Sequence, residues 1–176
     1  ASCVLAIAGL ALTPTLAMPA VGAALSDLAD AAATAALGIA LADHPGVRTA
    51  VIALGKWGGR ELNYASDIDL VFVHDGDPDV AAGAATAFIE LLSERTSAGI
   101  AFRVDADLRP EGAAGPLSRS VDSYRAYWSQ WAHTWEFQAL LKARPAAGDR
   151  RLAEEFISAA EPFVHPDTLG ADAVRE

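Results

Sequence analysis

Residues 54–70 read LGKWGGRELNYASDIDL, and the last four of them, Asp67, Ile68, Asp69 and Leu70, decide how the rest is understood. In an extended strand side chains alternate faces with period two, so Asp67 and Asp69 share one face while Ile68, Leu70 and Phe72 take the other. The apolar face fixes the register, because a slip of one residue would bury both carboxylates and expose three hydrophobes. Upstream, TAVIAL at 49–54 is predicted as a buried strand that runs into Gly55, Lys56, Trp57, Gly58 and Gly59. So much glycine lets backbone N–H groups approach an anion closely.

Working outward, residues 21–42 are predicted as a helix with Leu25, Leu28, Ala32, Ala35 and Ala36 inward, ended by Asp43, His44, Pro45 and Gly46. After the acidic strand comes a turn at 75–78, then a helix capped by Asp79 that runs to about Ala98, with Phe88, Leu91 and Leu92 inward and Gly99 closing it. A third strand is expected over 100–108, IAFRVDADL. It sets Phe102, Val104, Ala106 and Leu108 toward the core and Arg103, Asp105 and Asp107 on the opposite face. The Gly/Pro-rich stretch 109–119, RPEGAAGPLSR, has the length at which irregular segments tend to be functional. Ser120 is placed to cap a further helix on which Trp128, Trp131 and Trp135 follow at i, i+3 and i+7, a spacing that indicates core, continued by Leu140 and Leu141. Pro145, Gly148 and Asp149 break the chain before a last helix at 150–160.

Composition narrows the function. The chain has 176 residues, 52% of them hydrophobic, which excludes disorder, and a formal net charge of −10, which argues against a nucleic-acid partner needing a basic footprint. Cys3 is the only cysteine, so no disulfide can form within the chain; an inert thiol in a reducing cytoplasm is the expectation. Residues 3–25 carry no charge, but they are rich in Ala and Gly, interrupted by Pro14 and Pro19, and followed by Asp27 and Asp30. Buried helices, with no membrane span, are expected there. The absence of an initial Met and the run at 172–176 suggest a piece of a longer polypeptide.

Two acidic strand faces beside a glycine turn are suited to nucleotidyl transfer, an in-line displacement at phosphorus served by Mg²⁺, which prefers hard oxygen ligands. Asp67, Asp69 and one acid of the third strand would supply them, and alternation alone does not choose between Asp105 and Asp107. No G-x-x-x-x-G-K-[ST] is present, which excludes a P-loop kinase. A metal-dependent sugar transferase would share the Asp-x-Asp but explains neither the glycine turn nor the LRPEG loop. A silent, regulator-binding domain would not need intact acids.

Three segments, GKWGGRELNYASDIDLVF, FRVDADLRPEGAAGPLSRS and WAHTWEFQALLKARPAAGD, resemble in order the bacterial glutamine-synthetase adenylyltransferases over about residues 25–149. The resemblance implies an α+β, DNA-polymerase-β-like nucleotidyltransferase fold with a small mixed sheet and flanking helices. A helical lead-in is expected at 1–46, the catalytic core at 47–115 and a helical region at 116–176. The resemblance further implies Mg²⁺, ATP or ADP and inorganic phosphate, glutamine synthetase as partner, and a PII-type signal protein acting through the full-length enzyme. Gly55 and Ser66 match the family's phosphate-side positions and Asp67 and Asp69 its metal ligands, while its V-D-x-x-L-R-P pattern selects Asp105 over Asp107. Lys56, Arg60, Arg109, Lys142 and Arg144 stand in the same motifs as cations that offset phosphate charge, Arg109 and Lys142 foremost, with Glu136 able to orient one of them. His44, His74, His133 and His165 show no metal spacing. The motif wording resembles the family's adenylyl-removing half, in which AMP leaves tyrosine by phosphorolysis.

Overall fold

The computed structural model describes residues 2–11, 17–97 and 99–166, residues 2–5 as backbone only. The expected helical run at 172–176, the helix end at Ala98 and the state of the Cys3 thiol lie outside the described residues.

Helix α1, Ser2–Ala11, precedes α2, Met18–Asp43, which starts with proline in its first turn, where a missing N–H costs nothing. α2 is long and apolar enough to cross a membrane by length and composition. In the fold it buries Val21, Leu25, Ala29, Ala33, Ala36, Leu37 and Ala40 against the domain. The buried stripe is rotated from the expected one: Ala35 is exposed and Leu28 and Ala32 are half-buried, while Ala29, Ala33, Leu37 and Ala40 join Leu25 and Ala36 on the core.

Strand β1, Arg48–Ala53, pairs antiparallel with β2, Ile68–Asp75, in unbroken register from Arg48 opposite Asp75 to Ala53 opposite Leu70. Between them Gly55–Gly58 forms a single helical turn, α3, and after β2 comes α4, Pro78–Ser93. Asp77, not Asp79, caps α4, its carboxylate accepting from the N–H groups of Asp79 and Val80. Pro78 fixes φ and lacks a donor, so it takes the first helical position and leaves the cap to its predecessor. The helix stops well short of Gly99, and Leu91 faces solvent at 41% exposure while Phe88 and Leu92 are buried.

The expected third strand shrinks to β3, Val104–Asp105, parallel to the start of β2. Before it, the Phe102 N–H is taken by Leu92 O at the end of α4, and after it Arg109 gathers the carbonyls of Ala106 and Gly115, so neither flank is free for the sheet. β4, Ser118–Arg119, then pairs parallel with Phe72 and Val73 further along the same edge of β2. Helix α5, Val121–Gln130, is capped by Ser120 as expected. It ends before the tryptophan periodicity does. Trp128 packs with Tyr124, Phe156 and Phe163, but Trp131 and Trp135 are 69% and 54% exposed, and Leu141 is exposed where Leu140 is buried. Trp135 belongs instead to α6, Thr134–Ala139.

Residues 144–148, expected as a break, form β5, Arg144–Gly148, antiparallel to β1 on its free side. Pro145 is tolerated at this edge position, beside a register shift at Val51 and Ile52. Gly148 has φ of +87° and a Cβ there would collide with Thr49 O, so glycine is required. Asp149 caps α7, Arg150–Val164, by accepting from Leu152 N–H at 2.9 Å.

The sheet therefore runs β3-β2-β1-β5, with β4 beside β2, and is covered on both faces. Val51, Ala53, Ile68, Leu70 and Phe72 meet α2 and α4, and Ala50, Ile52, Leu54, Val71 and Val73 meet α5 and α7. This is the α+β class with a small mixed sheet and flanking helices, as expected of a polymerase-β-like nucleotidyltransferase domain.

Buried His74 on β2 is joined to Ser118 on β4, Nδ1 to Oγ at 2.8 Å. Burial holds its pKa below the ordinary 6.5, against the opposing pull of Asp75 and Asp77. Below 6.5 the unfolded chain thus takes up a proton that the folded chain refuses, and this contribution to stability is lost as pH falls toward the folded pKa. Thermal midpoints measured between about pH 7.5 and pH 5 are expected to fall less steeply in His74→Asn than in the wild type.

Candidate active site

The acidic end of β2 is shaped by α3. Leu54 N–H donates to Asp69 O at 2.9 Å, so the chain leaves β1 directly over the aspartate. Gly55 follows with φ of +51°, and a Cβ on it would strike the Asp69 carboxylate. Glycine is needed here to make room for an acid. The turn's other N–H groups are less available to an anion than the sequence suggests, since Gly58, Gly59 and Arg60 donate to Leu54 O, Gly55 O and Trp57 O. Fully buried Trp57 anchors the turn to α2 through Nε1 to Asp30 Oδ1 at 2.8 Å.

A second turn brings Ser66 and Asp67 into place. Asn63 Oδ1 accepts from Ala65 N–H at 3.0 Å, and Ser66 N–H donates to Asn63 O at 3.2 Å. Gly55, Lys56, Asn63, Ser66, Asp67 and Asp69 then line a cleft of about 500 Å³. On the other side of Asp67 lies a second hollow of about 530 Å³, lined by Arg103, Asp105, Asp107 and Arg109 among others.

Asp69 stands opposite Asp105 in the parallel register of β2 and β3. Burial raises the Asp69 pKa, and the charges of Asp105 and Asp67 raise it further, while Lys56 opposes them. Asp67 is 45% exposed and is held by Arg103, whose Nε donates to Oδ1 and whose Nη2 donates to Ala65 O at 2.6 Å. Asp105 Oδ1 accepts from the Asp107 N–H at 2.8 Å, whereas the Asp107 carboxylate turns to Arg109 at 2.9 Å. Among the described residues no group of three His, Cys, Asp or Glu side chains is gathered tightly enough to hold a metal ion as it stands.

The expected cations fall into two sets. Lys56 lines the cleft and acts on Asp69. Arg109 borders the second hollow, but it is 9% exposed and its guanidinium is spent on Ala106 O, Gly115 O and Asp107, which folds the 106–115 loop around it. Lys142 pairs with Glu61 at 2.7 Å. Arg144 makes a two-pronged pair with Asp30 at 2.8 and 3.0 Å, so the structure brings it to α2 and not to the three aspartates. Arg60 likewise pairs with Asp27 on α2, at 2.6 Å. Glu136 pairs with no cation among the described residues: it is buried and accepts from Tyr127 Oη at 3.1 Å and His133 N–H at 3.0 Å. Two site residues went unassigned from sequence, Arg103 and Asn63. Period-two alternation places Arg103 on the face of Asp105, a signal that was present; Asn63 acts through a turn that no periodicity reveals.

Comparison with known proteins gives the chain's family. A family model described as glutamate-ammonia ligase adenylyltransferase matches residues 2–159. The bifunctional glutamine synthetase adenylyltransferase/adenylyl-removing enzyme of Cutibacterium acnes is 47% identical over 163 residues, which is 86% of this chain and 17% of that protein. The enzymes of the same name from Mycobacterium leprae and Mycobacterium tuberculosis are 46% and 49% identical, over 93% and 86% of this chain and 16% and 15% of theirs. The chain thus spans about one sixth of the length of these relatives.

The raised pKa of Asp69 carries a stability consequence. Between its ordinary value of 3.8 and the folded pKa the folded chain holds a proton that the unfolded chain has released, so stability falls as pH rises through that window and stays lowered above it. Asp69→Asn removes the penalty. Its thermal midpoint is expected to exceed the wild type's at neutral pH, and the gap to close as pH is lowered toward 3.8, read by circular dichroism.

Proposed function

The chain belongs to the glutamate-ammonia ligase adenylyltransferase family, and from that premise we propose that it carries one nucleotidyl-transfer centre which removes AMP from an adenylylated tyrosine of glutamine synthetase, with inorganic phosphate as acceptor and ADP as product. The observation that carries this reading is that Asp69 faces Asp105 across β2 and β3 with Asp67 nearby, its anion disfavoured first by burial and then by the charges of Asp105 and Asp67.

In chemistry the three carboxylates suit a divalent cation, whose charge would relieve their mutual repulsion and around which they would have to draw closer than they stand. When bound, Mg²⁺ would neutralise charge on the transferring group, with Asp67, Asp69 and Asp105 as its ligands. The chain's own part is to place the reactants. Gly55 keeps the wall beside Asp69 low, and Ser66 and Lys56 line the same cleft, where they would meet the phosphate. Arg109 contributes by holding the 106–115 loop, and Lys142 by fastening the α3 turn through Glu61. Phosphate is already anionic, so phosphorolysis asks for cations more than for a general base. Transfer from ATP would instead require deprotonation of a tyrosine hydroxyl of ordinary pKa about 10. The wording GRELNYASDIDL and LLKARPAAGD, closer to the adenylyl-removing half, favours the same direction. We further read 47–115 as the catalytic core, working in the cytoplasm with a PII-type signal protein acting through the full-length protein; 1–46 is its lead-in and 116–176 a following region that is not purely helical, since it gives β4 and β5 to the sheet.

In a chain long enough to contain its neighbours, Asp67→Asn and Asp69→Asn are expected to lower turnover by about a hundredfold or more with the circular dichroism of a folded protein. Near wild-type turnover in both would overturn the assignment. Asp105→Asn is expected to be as severe and Asp107→Asn mild, since Asp107 is engaged with Arg109; equal losses would reject the choice of Asp105.

Direction is tested by supplying AMP-tyrosyl glutamine synthetase with Mg²⁺, with and without phosphate, and unmodified glutamine synthetase with ATP. Phosphate-dependent ADP release is the expected result. Labelling from ATP without phosphorolysis would assign the chain to adenylylation, and neither activity, with intact folding, to a non-catalytic role.

A further inference from the structure

Among the described residues Arg103 is the one cation that grips an aspartate of the cleft directly, and the proposed reaction gives it no task. Its Nε donates to Asp67 Oδ1 and its Nη2 to Ala65 O, while its side chain remains 63% exposed. It borders the hollow containing Asp105 as well as the turn that carries Ser66. Asp69 and Asp105, by contrast, have no ion-pair partner among the described residues. Among the described residues, then, Asp67 alone of the three carboxylates is held in an ion pair, while Asp105 accepts only the Asp107 N–H and Asp69 feels Lys56 without pairing to it.

Resting on the nucleotidyl-transfer reading, we propose that Arg103 is an exchangeable counter-ion: it occupies Asp67 while the site is empty of cations and, once Asp67 turns to a divalent ion, presents its guanidinium to a phosphate oxyanion beside that ion. Three features support the exchange. An exposed ion pair contributes only about 0–1 kcal/mol, so Arg103 and Asp67 separate at little cost. A guanidinium is permanently charged and offers a planar fork of donors matched to phosphate. Its second anchor, Ala65 O, belongs to the Asn63–Ser66 turn, so that on leaving Asp67 the side chain stays tethered next to Ser66.

The two halves of the exchange have opposite signs, which makes them testable without turnover. Mn²⁺ alone is titrated into wild type, Arg103→Gln and Arg103→Lys, by calorimetry and by the manganese electron paramagnetic resonance signal. Inorganic phosphate and ADP are then titrated separately into each Mn²⁺-loaded protein. Arg103→Gln is expected to bind Mn²⁺ tighter, by up to about fivefold, because the ion no longer competes with the guanidinium. The same variant is expected to bind the oxyanion about tenfold more weakly, with Arg103→Lys between it and wild type in both titrations.

The arm that weakens tells whether Arg103 meets inorganic phosphate or the nucleotide's phosphates. Mn²⁺ affinity that is unchanged or lower in Arg103→Gln overturns the inference, as does tighter Mn²⁺ binding with wild-type affinity for both phosphate and ADP. Should Arg103→Gln lose its fold, Arg103→Lys indistinguishable from wild type in both titrations overturns it equally. A wild type that takes up no Mn²⁺ overturns the nucleotidyl-transfer reading together with this one, whereas uptake without any difference between variants overturns this one alone.

Discussion

The last rung of the β1–β2 ladder, from the Leu54 N–H to the Asp69 carbonyl, is the bond on which the site depends. It fixes the chain at the point where β1 ends and the α3 turn begins, and so seats Gly55 against the Asp69 carboxylate. The six-residue register behind it is held by burial on both faces, since Ile68, Leu70 and Phe72 are needed on one side and Val71 and Val73 on the other. A slip would remove all five from their places at once. Because hydrophobic packing so strongly determines the register, Asp69 can be forced into a half-buried position among like charges that it would not choose by itself.

A second constraint keeps the turn and the helical layer together. Asp30 on α2 accepts from Trp57 Nε1 and from both terminal nitrogens of Arg144, so one carboxylate joins α2, α3 and β5. With Asp30 and Arg144 each about a quarter exposed or less, the pair is partly desolvated and its geometry is fixed by the fork. That junction explains why an apolar helix such as α2 carries aspartates in its middle. They face the protein's own cations, while the Ala-rich stripe lies on the core.

Electrostatics then divide the cations by task. With a net charge of −10 the chain is short of positive charge, and Arg60, Arg109, Lys142 and Arg144 all hold structural carboxylates or carbonyls. Lys56 and Arg103 are left close to the acids of the cleft. Local field, not overall charge, therefore decides what kind of ligand the cleft can accept.

Alternation and local chemistry by themselves determined much of this protein. The faces of β2, with Asp67 and Asp69 on one side, the buried β1 and the cap at Ser120 were legible, because each rests on a period or a neighbour a few residues away, whereas the α+β class and the preference for Asp105 over Asp107 came from the resemblance of whole motifs. What needed the tertiary structure were the features set by partners distant in sequence. The strand at 144–148 was hidden because Pro145 and Gly148 mark a break locally, and only pairing with β1 makes them a bulged edge. The third strand read as nine residues kept two, since Leu92 and Arg109 claim the backbone on either side. Trp131 and Trp135 kept helical spacing across a helix that had already ended. The cations show the difference most plainly: sequence places a charge within a motif, but which carboxylate it reaches depends on residues such as Asp30 and Glu61, more than eighty positions away.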